Sequence, residues 1–472
     1  MNDRAVSSNN DYDLVIIGSG AASFAGAIRA AEMGKRVAMV ERGTVGGTCV
    51  NYGCVPSKTL IRAAEARQKI LRPNFKAVTG GTAPLDFKEL IRQKDELVRG
   101  LRQAKYQNVL ESYNIDFIAG EASFVSPHEI IAGNHRLRAA FFLIATGGSP
   151  HIPAISGLRE VDFLTSTSAF ELRQLPSSIV IIGGRYIALE VAQMFQRLGS
   201  QVTVLQRSAR ILPSEDPDLT EELAGYLRAE GVNIITGVTC GRISQAGEFK
   251  VSFTKAGKQQ EVRAEQLIVA TGRRANTSGL NLKAAEVELN PDGTIITNDY
   301  NQSTSGHIYA AGDVIGNPAF VYTAAAEGRL AVENAFRGNK ERRDYGVLPY
   351  VVFTDPQVAR VGLNELTAAE RGIEVECASL SLNNVPRAIA ARDTRGFIKL
   401  LKKKGEDYLV GASILSPEGG ELLMEVSLAI KYKIPLRDLS AMFHPYLTLS
   451  EAIKLTIQTF DKDVKKLSCC AS

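Results

Sequence analysis

A strand, a glycine turn, a helix and a second strand follow one another in this 472-residue chain, and the pattern occurs twice. The first copy begins with DLVIIG at 13–18, and its second strand ends in Glu41. The second copy begins with IVIIG at 179–183 and continues to a strand at 201–205. Such units form parallel sheets with right-handed crossovers and bind dinucleotides at their glycine turns. We therefore predict an α/β fold that contains two Rossmann-like nucleotide-binding domains.

The segments between and after the two copies indicate how the domains divide. A strand at 141–145 leads into Thr146 and Gly147, and a similar strand at 267–270 leads into Thr271 and Gly272. From about residue 345, strand-like and helical runs alternate, as in a separate α+β domain. We expect a disordered leader at 1–10, a first nucleotide domain in two parts at 11–150 and 276–344, a second nucleotide domain at 151–275, an α+β interface domain at 345–460 and a polar tail at 461–472.

Charge and hydropathy exclude several classes of partner. The net charge is only +4, which gives no reason to expect nucleic acid or an anionic membrane surface. No run of about 18 apolar residues occurs, so no membrane span is expected. The polar N-terminal residues lack the apolar core of a secretory signal, and we expect a cytoplasmic protein. In that reducing compartment, paired cysteines are more often catalytic or metal-binding than structural.

The first glycine turn, at 18–23, has the features of a dinucleotide site. Gly18 permits the tight turn, Gly20 lets the backbone approach a pyrophosphate, and the small Ser23 allows close packing of helix against strand. Glu41 lies where a carboxylate can bind a ribose hydroxyl. Dinucleotide binding is our prediction, and a tight turn without a ligand is the alternative.

The second turn departs from this pattern. Arg185 stands where a second glycine is expected, and the strand that follows does not end in a carboxylate. Gln206, Arg207 and Arg210 occupy that end instead. Cations at this position suit a 2′-phosphate, so we predict NADPH in preference to NADH. The alternative is that these arginines are solvated surface charges.

Two cysteines, Cys49 and Cys54, are separated by four residues, which allows a disulfide across the first turn of a helix. A thiolate near a helix N-terminus is stabilised and becomes a nucleophile. A structural disulfide or half of a zinc site would be the alternatives. Zinc requires further cysteine or histidine ligands at regular spacing, and none lies nearby. We predict a redox-active pair, whereas Cys240 and Cys377 are expected to have no chemical role.

These motifs resemble those of the flavoprotein disulfide reductase family. The resemblance extends over nearly the whole chain and includes the turn at 18–23, the cysteine segment at 46–58, the turn at Gly183 and the segment at 304–313. It implies that the first domain binds FAD through Gly18, Gly20, Ala21, Glu41, Thr48, Lys58, Thr146, Gly147, Gly312 and Asp313. It implies that the second domain binds the nicotinamide cofactor through Gly183, Tyr186, Gln206, Arg207, Arg210 and Gly272.

The same resemblance implies roles beside the flavin ring. Lys58 and Glu190 would pair there, and Cys54 would be the sulfur nearest to the flavin. Tyr186 would cover the flavin until the nicotinamide displaces it.

The C-terminal segment distinguishes this chain from family members that reduce disulfides. Those members resemble one another in a His-x-His-Pro-Thr-x-x-Glu segment, whose second histidine serves as acid and base across a dimer. When Thr448 and Glu451 are aligned with that segment, Tyr446 occupies the histidine position and His444 lies two residues earlier. A phenol with a pKa of about 10 is a poor proton shuttle at neutral pH. We therefore do not expect protonation of a thiolate leaving group, unless His444 takes over this role.

The tail adds two adjacent cysteines, Cys469 and Cys470, whose thiolates would select soft metal ions. Together with Tyr446, this pair resembles the mercury(II)-reducing members of the family, and Tyr106 resembles a second tyrosine of their metal pathway. The resemblance implies a homodimer in which the tail cysteines of one subunit deliver Hg(II) to the redox pair of the other. A helix-packing role is the alternative for Tyr106, and an incidental pair is the alternative for the tail.

We therefore predict NADPH-dependent reduction of Hg(II) to Hg(0) through FAD and a dithiol. A dihydrolipoamide dehydrogenase-like or other flavin disulfide reductase is the alternative enzyme. A flavoprotein that sequesters a thiophilic metal without reducing it is the alternative from another class.

Overall fold

The computed structural model describes residues 11–466, so the predicted leader and the tail cysteines Cys469 and Cys470 lie outside the described residues. The described chain forms two compact units, each made of separate stretches of sequence. The first unit comprises 11–59, 89–151 and 272–343, and the second comprises 60–88, 152–271 and 344–466.

The first unit is built on a seven-stranded sheet whose central strands are parallel. The strand Asp11–Ile17 lies between Val37–Glu41 and His135–Ile144, and the latter also pairs with Ile308–Ala310. All the residues of Val37–Glu41 but the last are buried, as expected of a parallel strand covered on both faces. The sheet is completed by Asp116–Ala119, Ala122–Ser126 and Glu129–Ala132, and a separate antiparallel pair is formed by Gly148–Pro150 and Arg273–Ala275.

Two helices of the first unit, Ala21–Glu32 and Val321–Arg337, pack closely against each other. A Cβ added at Gly328 would lie 2.0 Å from the backbone oxygen of Ala22, so only glycine permits this approach. The first helix therefore holds the glycine turn at its own N-terminus against the core. The other helices that lie wholly or partly in this unit are Gly47–Asn51, Cys54–Leu71, Phe87–Arg102 and Asn108–Ser112, with the π-helix Gln103–Gln107 and the short 3-10 turns Leu282–Ala285 and Asp313–Ile315.

The second unit contains a parallel sheet that repeats the pattern of the first. Ser178–Ile182 lies at its centre, between Gln201–Gln206 and Gln266–Val269. The helix Tyr186–Leu198 follows the central strand, and ten of its 13 residues are buried. The sheet also includes Asn233–Thr236 and Leu164–Thr165, and an antiparallel meander is formed by Val238–Ala246, Glu248–Lys255 and Lys258–Ala264.

The C-terminal part of the second unit is an antiparallel sheet of five strands with helices beside it, as predicted for an α+β domain. Its strands lie in the order Tyr350–Val352, Gln357–Gly362, Leu409–Ser416, Phe397–Lys403 and Val375–Ser381. The helices of the second unit after Tyr186–Leu198 are Pro217–Ala229, Glu365–Glu370, Pro386–Ala390, Leu423–Lys431, Leu436–Ala441 and Glu451–Gln458, with 3-10 turns at Leu158–Glu160, Ala169–Glu171, Leu382–Asn384, Gly419–Leu422 and Val464–Lys466.

The predicted α/β class with two Rossmann-like domains and a C-terminal α+β domain is thus confirmed. Within residues 11–466, no helix has both the length and the apolar character that crossing a membrane requires.

Candidate redox active site

The two glycine turns have the same local geometry. Gly18 has φ +107°, and a Cβ there would lie 2.3 Å from the backbone oxygen of Ala145. Gly183 has φ +128°, and a Cβ there would lie 2.3 Å from the backbone oxygen of Ala270. Both the left-handed conformation and the contact exclude a side chain. Each turn therefore brings a helix N-terminus to the carboxyl end of its central strand, where dinucleotides bind.

The first turn fits the pyrophosphate and ribose of FAD. A Cβ at Gly20 would meet no atom within 4 Å, so the backbone there faces open space. Glu41 ends the second strand, and the Ser19 hydroxyl donates a hydrogen bond of 2.7 Å to one of its oxygens. The N–H of Gly43 donates to the other oxygen, also at 2.7 Å. The carboxylate is thus held at the strand end, where it can accept a hydrogen bond from a ribose hydroxyl. Ala21 is the first residue of the helix.

Residues that are distant in sequence meet at the other part of the predicted FAD site. Arg273 forms an ion pair of 2.9 Å with Asp313 and also donates to the Gly148 carbonyl. It lies 3.5 Å from the hydroxyl of Thr48. Sequence reasoning missed Arg273, because no motif connects it with an aspartate 40 residues later. Three further predicted residues also form hydrogen bonds. The Thr146 hydroxyl donates to the Asn276 carbonyl, the Asn276 N–H donates to the Gly147 carbonyl, and the Gly312 N–H donates to Glu327.

Cys49 and Cys54 are brought together at the start of a long helix. Cys54 is exposed and is the first residue of the 18-residue helix Cys54–Leu71, whereas Cys49 is half-buried in the short helix Gly47–Asn51. The hydrogen bond of Cys49 to Cys54, together with burial, raises the pKa of the Cys49 thiol, while the Lys58 ammonium acts in the opposite direction. The helix N-terminus stabilises a thiolate at Cys54.

The cysteine segment lies directly against the first glycine turn. The N–H of Gly46 is 3.1 Å from both the carbonyl and the hydroxyl oxygen of Ser19, and donates to both. A Cβ at Gly47 would lie 2.7 Å from the Cα of Gly20. The turn that faces a dinucleotide and the turn that carries the dithiol are therefore one rigid arrangement, suited to electron transfer between a bound flavin and the sulfurs.

Tyr106 lies beside this dithiol. It belongs to a π-helical segment, Gln103–Gln107, and its ring makes an edge contact with Phe24 at 4.8 Å between centroids. Its ring would also lie 3.3 Å from a Cβ at Gly46. Burial raises the pKa of the Tyr106 hydroxyl, and the negative charges of Cys49 and Cys54 raise it further. The phenol therefore stays protonated and can donate to a sulfur.

Three arginines lie at or near the second nucleotide turn in the sequence. Gln206 is buried against Gly184 and donates to the Arg210 carbonyl at 3.3 Å, so its amide is held by its own loop. Arg207 is exposed. The Nη1 atom of Arg210 is buried and has no hydrogen-bond partner among the described residues, which suits an incoming phosphate. Arg185 precedes the helix Tyr186–Leu198 and is exposed.

Three further predicted residues belong to different units: Tyr186 and Glu190 lie in the second unit, and Gly272 lies in the first. Tyr186, the first residue of the helix, is 39% exposed and thus accessible. Gly272 has φ +117°, and its carbonyl accepts from the His151 N–H within the first unit. Glu190 is buried and accepts the Phe353 N–H at 2.9 Å. Because Lys58 and Glu190 belong to different units, their pairing stays a prediction.

The C-terminal segment presents Tyr446 to solvent, with 55% of its surface exposed. His444 is directed elsewhere: its Nε2 lies 2.7 Å from Glu425, and its side chain is only 6% exposed. This ion pair or hydrogen bond gives His444 an anchoring role within the chain. It offers no support for His444 as an acid–base group, which remained the alternative from the sequence.

An acidic cluster elsewhere in the second unit already holds a cation of the protein. Carboxylate oxygens of Asp216, Asp218 and Glu365 lie within 4.8 Å of one another. The ammonium of Lys399 pairs with all three, at 3.4, 2.5 and 2.6 Å. A cation of the protein itself thus occupies the cluster, which removes the reason to assign a metal there.

Two dinucleotide turns and a dithiol at a helix N-terminus define a nicotinamide- and flavin-dependent dithiol oxidoreductase. Comparison with known families agrees. Residues 12–328 match the pyridine nucleotide-disulphide oxidoreductase family, and residues 348–457 match the dimerisation domain of that family. The chain belongs to this family.

Known relatives match over nearly the whole chain. A mercuric reductase of Lysinibacillus sphaericus is 46% identical, over 99% of this chain and 86% of that protein. A mercuric reductase of Streptomyces lividans is 44% identical, over 98% of each. Among solved structures, the Cu(II) complex of the HOCl-induced flavoprotein disulfide reductase RclA of Escherichia coli is 31% identical and has a TM-score of 0.86, covering 96% of this chain and 100% of that chain.

Proposed function

We propose that this protein is a mercury(II) reductase that uses NADPH and FAD. The observation that carries the proposal is the combination of a dithiol joined to the flavin turn with an exposed tyrosine, Tyr446, at the family's histidine position. The relatives named mercuric reductase, at 42–46% identity over at least 98% of the chain, support it. The overall reaction is Hg(II) + NADPH → Hg(0) + NADP⁺ + H⁺.

The dithiol binds and holds the metal ion. When bound, FAD takes a hydride equivalent from NADPH and supplies two electrons to the cysteine pair or to the metal that the pair holds. Cys54, at the helix N-terminus, is the thiolate that attacks first, and Cys49 loses its proton as the soft ion replaces it. Exchange of Hg(II) between thiolates needs no proton donor. A tyrosine at position 446 is therefore compatible with this chemistry, whereas disulfide reduction would call for a histidine.

Each cofactor-binding residue would hold one part of NADPH or FAD. The cation at Arg210, with its buried and unpartnered Nη1, would receive the 2′-phosphate of NADPH. Glu41, held by Ser19 and Gly43, would bind the FAD ribose. Asp313, paired with Arg273, would meet the ribityl chain. Lys58 and Glu190 would pair beside the flavin ring, which Tyr186 would cover in the absence of nicotinamide.

We further propose that the protein is a homodimer. The helix Leu423–Lys431 and the residue after it expose Met424, Leu428 and Tyr432, which are four residues apart and so form one apolar stripe. Phe443 is fully exposed nearby in the sequence. Exposed apolar surface of this kind is typical of an interface, and the match of 348–457 to the dimerisation domain supports a second copy as the partner.

In this dimer, Tyr446 and the tail cysteines Cys469 and Cys470 would serve the redox pair of the other subunit. We assign the protein to the cytoplasm, because that compartment supplies NADPH and keeps its cysteines reduced.

Steady-state NADPH oxidation tests the function. Thiol-buffered Hg(II), lipoamide, glutathione disulfide and Cu(II) are supplied separately to the purified flavoprotein, and volatile Hg(0) is measured. We expect turnover with Hg(II) faster than with either disulfide. Faster turnover of a disulfide would make the protein a disulfide reductase, and Hg(II) binding without NADPH oxidation would make it a sequestering protein.

Substitution of the cysteines gives the matched control. Cys49→Ala and Cys54→Ala should each abolish Hg(II) reduction while FAD stays bound, because the cysteines lie outside the turn at 18–23. Cys377→Ser should leave the rate unchanged. Cys377 lies in the strand Val375–Ser381, outside the segment that carries the dithiol, and burial raises the pKa of its thiol to about 12. Loss of flavin from both cysteine variants would show that the pair is structural.

A further inference from the structure

One buried amide connects the dithiol segment with the helix that carries Tyr106. Asn51, which lies between the two cysteines and is 4% exposed, donates from Nδ2 to the carbonyls of Val45 and Gly47, both at 2.9 Å. Its Oδ1 accepts from Nη1 of Arg102 at 3.2 Å. Because a guanidinium can only donate, the amide must direct its oxygen to Arg102 and its nitrogen to the two carbonyls. All three contacts thus have one consistent orientation.

Arg102 is the last α-helical residue before the π-helical segment Gln103–Gln107. In a π turn the hydrogen bonds connect residues five apart, and the N–H of Asn108 accordingly donates to the Gln103 carbonyl. More than four residues therefore complete one turn, so Arg102 and Tyr106, four apart, face nearly the same side. That side is the dithiol segment, since Arg102 contacts Asn51 and Tyr106 contacts Gly46.

We propose that Arg102 and Asn51 are positioning residues that fix the Tyr106 hydroxyl relative to the two cysteine sulfurs. The amide of Asn51 shapes the turn from Val45 to Gly47 that precedes Cys49. Arg102 then connects this turn with the π segment. The same series of hydrogen bonds therefore fixes the positions of the phenol and of the dithiol. The proposal rests on the proposed function, because it assigns the phenol to the metal held by the dithiol.

The chain offers a conservative replacement and a matched control. Arg102→Gln removes the guanidinium that reaches Asn51, whereas Arg102→Lys keeps a donor and a positive charge. Arg99→Gln changes an exposed arginine one turn earlier on the same helix. Its guanidinium donates to the Asp95 carbonyl of that helix. We expect Arg102→Gln to lower kcat/KM for Hg(II) about tenfold and to leave the KM for NADPH unchanged. Arg102→Lys should recover part of the lost kcat/KM. Arg99→Gln should have no effect on either constant.

A double-mutant cycle distinguishes positioning from general damage. The alkylation rate of the reduced cysteines by iodoacetamide is measured against pH in the wild type, Arg102→Gln, Tyr106→Phe and the double variant. We expect Arg102→Gln to change the rate at least threefold alone and to change it little when Tyr106 has already lost its hydroxyl. Equal effects in both backgrounds, or an effect of Arg99→Gln of the same size, would overturn the proposal.

This readout does not depend on the substrate. If the wild type fails to reduce Hg(II), the proposed function is wrong, yet the coupling of Arg102 with Tyr106 at the thiols is still decided by alkylation. If Hg(II) is reduced and the coupling is absent, only the positioning role is wrong.

Discussion

At the scale of single residues, Gly18 and Gly20 lie two positions apart in one turn, but the structure excludes a side chain only at Gly18. We predict that Gly18→Ala destabilises the flavin-free protein by about 2 kcal/mol or more, because its φ of +107° and the contact with Ala145 both exclude a Cβ. Gly20→Ala should leave that stability unchanged, since its φ is −83° and a Cβ meets no atom within 4 Å, but should weaken FAD binding. Thermal unfolding and flavin titration measure the two effects. Equal stability of the two variants would contradict the prediction.

Arg210 and Arg207 provide a second test at this scale. Arg210 has a buried Nη1 without a hydrogen-bond partner in the described part of the chain, whereas Arg207 is exposed. We predict that Arg210→Gln raises the KM for NADPH about tenfold, in line with the loss of a charge-assisted hydrogen bond to phosphate, and leaves the KM for NADH unchanged. Arg207→Gln should have a smaller effect. If both cofactors are affected equally by Arg210→Gln, the arginine does not recognise the 2′-phosphate.

The sequence allowed prediction of those residues whose backbone requirement is local. The tight turns at Gly18 and Gly183 follow from glycine after a β-rich run, and the structure contains both. Arg273 and Arg102 could not be predicted, because their partners, Asp313 and Asn51, are 40 and 51 residues away and belong to no shared motif. Whether the predicted residues bind cofactor or metal is a matter for the experiments above.

At the scale of elements, the sequence patterns predicted the two strand–turn–helix units that contain Gly18 and Gly183. They missed the helices Pro217–Ala229 and Val321–Arg337 and several strands with an exposed face. Val238–Ala246 and Lys258–Ala264 are largely exposed, so their polar sequences gave no strand signal. The strand Gln357–Gly362 was missed as well, although most of its residues are buried. The π segment Gln103–Gln107 was not predicted either, because its wider turn is stabilised by contacts with Phe24 and the cysteine segment. Such contacts are tertiary and leave no local pattern.

An ion-pair network connects two helices of the second unit with a nearby loop. Arg395 pairs with Asp393 at 2.7 Å and with Asp355 at 2.9 Å, and Arg197 pairs with Glu230 at 2.6 Å and with Asp355 at 2.9 Å. Burial alone would raise the pKa of Asp393, but hydrogen bonding to Arg395 outweighs it and lowers the pKa below the usual 3.8. The pair of Asp393 with Arg395 therefore stabilises the fold above pH 3.8 and loses this contribution as the pH falls through the lowered pKa.

We predict that Asp393→Asn lowers the stability at pH 7 by about 1 kcal/mol, a modest value because the carboxylate is partly screened by solvent. The difference between variant and wild type should shrink once the pH is below 3.8, where the wild-type carboxylate is also losing its charge. Urea unfolding at a series of pH values measures it. A difference that stays constant with pH would show that the carboxylate acts through packing instead of charge.

At the scale of the whole molecule, the proposed metal transfer needs two chains. A Cys54→Ala chain has no complete dithiol but keeps its tail cysteines, and a chain with Cys469→Ala and Cys470→Ala keeps the dithiol but has no tail thiols. In a dimer of one of each, transfer between chains can serve one of the two sites, whereas transfer within a chain can serve neither. Because the two subunits of a homodimer are equivalent, the activity of the mixed dimer distinguishes transfer between chains from transfer within a chain.

We predict that co-expression of these two chains restores Hg(II) reduction at limiting, thiol-buffered Hg(II). Random pairing in equal amounts makes half of the dimers mixed, and one of two sites in each is complete, so activity should reach about a quarter of the wild-type value. Separate affinity tags on the two chains allow the mixed dimer itself to be purified and assayed. At high free Hg(II), the chain without tail cysteines should be active by itself, because the ion then reaches the dithiol directly. A purified mixed dimer that remains inactive at limiting Hg(II) would show that the tail does not serve the partner's site.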